Sequence, residues 1–241
     1  LLAAKAALRQ RIWEKMSEPG IARFPGADGR IPNFVGAEAA AEHLRETQLW
    51  SEAKTLKANP DSPQLPVRQR ALEDGKRVYM AVPRLRDRNP FFLLDPDDLK
   101  GTPRQAASIR GASKSARKVA LDELAPVDLV VTGCVAVSAD GARLGKGGGY
   151  SDLEFALAQR AGLIGPATRV VTTVHACQVV NDGMIPMADH DIHLDLIVTP
   201  ERVIECPRRE RDARIRWKAL SEEKIAAIPL LAELQPETEE R

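Results

Sequence analysis

Apolar residues recur four apart at Leu8, Ile12 and Met16, and Lys5 and Arg9 repeat the same interval beside them. That stripe predicts a helix over residues 1–16 with two cations on one face. A loop rich in Pro and Gly follows over 18–36, and the alanine-rich stretch 37–46 is helical by propensity. Residues 53–58 read as a short strand, broken by the cluster Asn59, Pro60, Asp61, Ser62 and Pro63. Pro66 opens a helix that Gly75 closes. Residues 77–82 form a clear strand ended by Pro83, and 91–94 a weaker one. The apolar run 128–137 predicts the strongest strand of the chain. Residues 151–161 are helical, with Leu153 and Leu157 inward and Gly162 as C-cap. Strands follow at 169–174, 194–199 and 202–204.

Strands alternating with helices predict an α/β fold, three-layered, with a mostly parallel sheet and helices on both faces. The length of 241 residues suits one large domain, and no shift in composition marks a boundary. A single domain is therefore expected over 1–241, with a charged, partly helical tail from about 208 that frays from Pro236.

Charge changes this picture only locally. The formal net charge is +1, so no global field attracts nucleic acid or an acidic membrane. Residues 101–118 carry Arg104, Arg110, Lys114, Arg117 and Lys118 without an acid. They read as a solvated loop or lid, a phosphate-facing lid, or an RNA contact. The absence of interleaved aromatics weighs against RNA. Cys134, Cys177 and Cys206 form no CxxC pair, which fits a reducing, cytoplasmic setting. Cys134 reads as a small buried hydrophobe. No apolar stretch is as long as a membrane span, and residues 1–16 do not read as a secretory signal.

The candidate chemistry lies after the 128–137 run. Arg143 and Leu144 lead into Gly145, Lys146, Gly147, Gly148, Gly149 and Tyr150, and then into a helix. Consecutive glycines allow close backbone approach, free N–H groups form an anion nest, and the helix start adds positive potential. Neither the GxGxxG fingerprint nor a closing Gly-Lys-Ser/Thr is present. Asp152, in the first helical turn, reads either as a helix-dipole acid or as a Mg2+ ligand, and spacing alone favours the former. A second polar run holds Asp189, His190, Asp191, His193 and Asp195. In an extended segment its side chains alternate between faces, so capping explains it as well as metal binding.

Taken in order, these features resemble the 5-formyltetrahydrofolate cyclo-ligase, or methenyltetrahydrofolate synthetase, family. The similarity spans Lys5 and Arg9, Gly75 through Val78, the loop from Arg143 to Asp152, then Gln178, Pro186, His190, Asp191 and Asp195. The resemblance implies a NagB/RpiA/CoA-transferase-like sheet and chemistry dependent on ATP and Mg2+. It implies phosphoryl activation of the formyl oxygen of 5-formyltetrahydrofolate and ring closure to 5,10-methenyltetrahydrofolate. It places ATP at Lys5, Arg9, Arg143, Gly145, Lys146, Gly147, Gly148, Gly149 and Tyr150, and Mg2+ at Asp152 and Asp191. The substrate side falls on Asp61, Gln64, Tyr150 and Ser151.

The chain departs from the family pattern on that substrate side. Ser151 replaces a second Tyr, Leu153 a basic residue, and Asp61 and Gln64 a Glu and a Thr. His175, Ala176 and Cys177 replace an aromatic stretch. These departures resemble a paralogous branch that includes the N-terminal part of methenyltetrahydrofolate synthetase domain-containing proteins. Three readings follow: a folate cyclo-ligase, an ATP-using paralog acting on another small, thiamin-related heterocycle, and a non-catalytic nucleotide-binding protein.

Overall fold

The structure is a computed structural model that describes residues 1–188, 191–211 and 213–234. The expectations placed on Asp189 and His190, and on the chain from Pro236, lie outside these residues. Helix α1 (Leu2–Met16) buries Lys5, Leu8, Ile12 and Met16, the stripe read from the spacing of four. Next come α2 (Ala37–Arg45), the short α3 (Gln48–Glu52), β1 (Thr55–Ala58), α4 (Leu65–Glu73), β2 (Arg77–Ala81) and β3 (Phe91–Leu94). Thr47 caps α3 by accepting from the Trp50 backbone N–H, a start signal for a helix the sequence pattern did not reveal.

Two expectations need correction. Residues 101–118 are not a solvated loop. They fold into α5 (Pro103–Ala106), α6 (Ile109–Ser115) and the start of β4 (Arg117–Val119). Ala106, Ala107 and Ala112 are buried, and the buried Arg68 of α4 holds the Ala107 carbonyl at 2.9 Å. Arg104, Arg110 and Lys114 lie on the solvent side of two small helices whose apolar side is alanine, and Arg117 and Lys118 are exposed on β4.

The run 128–137 is not one strand but two. β5 (Leu129–Val131) belongs to the large sheet and β6 (Ala136–Ser138) to a small one with β7 (Arg143–Leu144) and β9 (Val179–Val180). The break falls at Gly133, where a Cβ would lie 2.9 Å from Ile31 Cγ2 and 3.0 Å from Gln64 Oε1. Gly133→Ala is accordingly expected to cost about 1–3 kcal/mol through overpacking. A lowered urea midpoint at unchanged slope checks this, and an unshifted midpoint would refute it.

Helix α7 (Tyr150–Arg160), β8 (Arg169–Thr173), β10 (Leu196–Val198) and β11 (Val203–Glu205) follow, then α8 (Glu222–Ala227) and α9 (Pro229–Leu234). The large sheet has the order β11-β10-β8-β5-β1-β2-β3-β4. Its centre, β10-β8-β5-β1-β2, is parallel, and its edges are antiparallel. One face packs against α1, α2, α4, α5 and α6 through Leu56, Val78, Leu129 and Val131. The other packs against α7 through Tyr79, Val130, Phe155 and Val170. All four residues of β1 are buried, as a central parallel strand requires.

The strand order locates the ligand cleft. From β1 the chain moves to β2 on one side, while β5, β8 and β10 build outward on the other. The direction of winding therefore reverses between β1 and β5. At such a switch point the loops leaving neighbouring strands diverge and open a crevice at their C-terminal ends.

Candidate phosphate-binding site

The loops at this switch point carry the candidate residues. β1 runs out into Asn59, Asp61 and Gln64, and β5 into Thr132, Gly133 and, beyond the small sheet, the glycine loop. The Gly133 N–H donates to Asn59 Oδ1 at 3.3 Å, and the Ser151 hydroxyl lies 3.0 Å from Thr132 Oγ1 and 3.5 Å from Asn59 Oδ1. Asn59 is oriented in turn by Glu154, which accepts from its Nδ2 at 3.0 Å and from Lys57 Nζ at 2.5 Å.

Residues 146–149 of the glycine loop are exposed. Gly147 and Gly149 sit at φ 100° and 66°, a region that L side chains rarely occupy, and Gly149 is the N-cap of α7. Among the described residues no backbone hydrogen bond uses the N–H of Lys146, Gly147 or Gly148. These donors, next to an eleven-residue helix start, make the arrangement an anion nest in form.

Cations surround the loop. Arg9 Nε donates to the Gly145 carbonyl at 2.7 Å, and a Cβ on Gly147 would lie 3.4 Å from Arg9 Cζ. Burial lowers the Arg9 pKa, against an opposing pull from Asp191. Lys146 pairs with Asp61 at 2.9 Å. Lys5 pairs with Asp191, and Arg143 with Asp152. Arg143 is 5% exposed, and its Nε donates to the Ile192 carbonyl at 3.2 Å. Burial opposes its charge, but Asp152, Cys134 and Asp191 outweigh that and hold its pKa above the ordinary value. Arg143 thus feels both carboxylates, which sets Asp152 and Asp191 in one neighbourhood.

Tyr150 is the first residue of α7, and its ring packs against the C-terminal helices. Gln64 is fully buried beneath the switch point. Its Nε2 donates to the Thr173 carbonyl at 3.4 Å, while Gln64 Oε1 and Thr173 Oγ1 lack a hydrogen-bond partner. Two groups at the site were not anticipated. The buried pair Lys57–Glu154 joins strand to helix across 97 residues. Lys224 of α8 donates to the Gly148 carbonyl at 2.6 Å. Only burial of a lysine in a central strand hinted at the first, and no local pattern announced the second.

Fold and site together define a class: an open α/β protein with a glycine-rich, cation-lined loop at its switch point. The chain belongs to the 5-formyltetrahydrofolate cyclo-ligase family, which it matches over residues 2–200. It is 40% identical over 241 residues to the methenyltetrahydrofolate synthase domain-containing protein of Bos taurus, covering 98% of this chain and 63% of that relative. To its counterpart in Mus musculus it is 42% identical over 236 residues, with 96% and 63% covered. The chain thus spans less than two thirds of these relatives' length. The NMR structure of the Aquifex aeolicus 5,10-methenyltetrahydrofolate synthetase shares the fold, with a TM-score of 0.55 at 21% identity over 88% of this chain and 97% of that one. The expected family, its divergent branch and the fold class are all met. No helix among the described residues is long and apolar enough to cross a membrane.

Proposed function

We propose that this chain binds ATP with Mg2+ at the glycine loop and uses it to convert 5-formyltetrahydrofolate to 5,10-methenyltetrahydrofolate. The observation that carries this reading is the loop 145–150 at the sheet's switch point, with Arg9 on its Gly145 carbonyl, Lys146 within it, and the pairs Lys5–Asp191 and Arg143–Asp152 supplying further cations and carboxylates, in a chain of this family. These cations and the unused N–H groups are the phosphate ligands. Asp152 and Asp191 are the Mg2+ ligands.

The donor set fits both groups. Mg2+ takes one or two protein carboxylates and fills its remaining positions with phosphate oxygens and water. The two carboxylates are now neutralised by Arg143 and Lys5. Phosphates would draw those cations and release the carboxylates. When bound, ATP supplies the phosphoryl group that makes the formyl oxygen a leaving group. The ring nitrogen then closes on the formyl carbon, and inorganic phosphate departs. The chain's own residues act by position and charge: they fix the phosphates, offset their negative charge and hold the acceptor at the switch point.

A second reading, an ATP-using relative acting on another, thiamin-related heterocycle, is favoured by the substrate side. Asp61, on that side, is committed to Lys146. A non-catalytic nucleotide binder is the third. The 241-residue chain incubated with Mg·ATP and 5-formyltetrahydrofolate is expected to develop the near-ultraviolet absorbance of the methenyl product. Absence of that signal in protein that binds Mg·ATP would discard the first reading in favour of the second. A chain that binds the nucleotide without turning over any heterocycle of a folate and thiamin-precursor panel would be the third.

A further inference from the structure

The family match ends at residue 200, yet the chain beyond it returns to the glycine loop. Helices α8 and α9 bury Ile225, Ile228 and Leu231 against Leu153 and Leu157 of α7 and against Leu85. Leu85 enters this cluster fully buried at φ 53°, a left-handed conformation costly for leucine. The apolar contact offsets that cost. Ser221 caps α8 by accepting from the Lys224 backbone N–H, which fixes where Lys224 starts.

From there the ammonium reaches the loop. Its Nζ lies 2.6 Å from the Gly148 carbonyl and 4.8 Å from the centre of the Tyr150 ring. A Cβ on Gly149 would lie 3.1 Å from it. Among the described residues no ion pair uses Lys224, whereas Lys5, Arg143 and Lys146 each have a carboxylate. A half-buried lysine held by a carbonyl and a ring face lacks a paired counter-charge. Arg9 holds the other end of the loop, donating to the Gly145 carbonyl.

We propose that Lys224 is a further phosphate-binding residue, brought by the C-terminal strap to the Gly148 end of the glycine loop whose Gly145 end Arg9 holds. The two cations hold a polyphosphate at the two ends of the loop, and the strap gives this chain a ligand that the family-matched region does not contain. Burial also lowers the Lys224 pKa, against an opposing pull from Asp152.

The inference rests on the proposed Mg·ATP site, and the test separates the two. Mg·ATP affinity is measured by calorimetry on the full chain and on Lys224→Ala, Lys224→Arg and Lys146→Ala, with the melting temperature of each. Loss of one charge-assisted contact predicts about tenfold weaker binding in Lys224→Ala. Lys224→Arg, which keeps the charge, is expected to restore affinity to within about threefold of the original. Undiminished affinity in Lys224→Ala alongside loss in Lys146→Ala overturns the role of Lys224 and leaves the site standing, whatever happens to melting. Failure of Lys224→Arg to recover any affinity also overturns it. No Mg·ATP binding by the unmodified chain overturns both.

Discussion

Glu154→Ala is expected to lose about 3–5 kcal/mol of stability, because it leaves a buried ammonium without its counter-charge. Lys57 and Glu154 are 1% and 4% exposed, and their charged atoms meet at 2.5 Å between β1 and α7. Replacing both residues together, as Lys57→Met with Glu154→Leu, is expected to recover most of the loss, since a packed apolar pair costs no desolvation. Urea midpoints of these two variants and of the original chain check this, and a Glu154→Ala variant as stable as the original would contradict it.

A buried ion pair adds little net stability over a packed apolar pair. Burial pushes the Glu154 carboxyl above its ordinary value, and Lys57 only partly opposes this. The folded state therefore holds that proton more tightly than the unfolded chain. Its contribution is full below the ordinary value of 4.5 and falls as pH rises through the raised one. What the ionised pair supplies instead is position: Glu154 fixes Asn59, and Asn59 holds Gly133 at the mouth of the cleft.

The second large effect is on binding. Lys146→Ala is expected to weaken Mg·ATP binding about 10- to 100-fold, the loss of one charged contact to phosphate. Its melting temperature should hardly move, because the Lys146 side chain is 46% exposed and an exposed pair such as Lys146–Asp61 contributes little. Calorimetry and thermal melting on the same sample decide it. Unchanged affinity, or a collapse in melting temperature, would each contradict the assignment.

What could be read from the chain before its fold was known follows from where each signal is written. Leu8, Ile12 and Met16 announce α1 because helical period is local. The apolar run of β2 and the glycine loop ahead of α7 are equally local. The split of 128–137 was hidden because both halves are apolar on both faces, and only Gly133 marks the break. Helices α5 and α6 were hidden because their buried side is alanine while their exposed side is arginine and lysine. The candidate site was legible as a loop with nearby charges, but not as a set of pairings. Lys5 with Asp191, Lys57 with Glu154, and Lys224 with the loop are joined only by tertiary packing across distant segments. Nor could the sequence show that the cleft falls between β1 and β5, because strand order is a property of the sheet.

The central claim is that the loop 145–150 is a Mg·ATP site, and direct titration tests it best. The 241-residue chain titrated with ATP is expected to give saturable binding that tightens when Mg2+ is present and weakens in Lys146→Ala. No measurable binding of ATP or ADP, with or without Mg2+, by protein that melts cooperatively would contradict it.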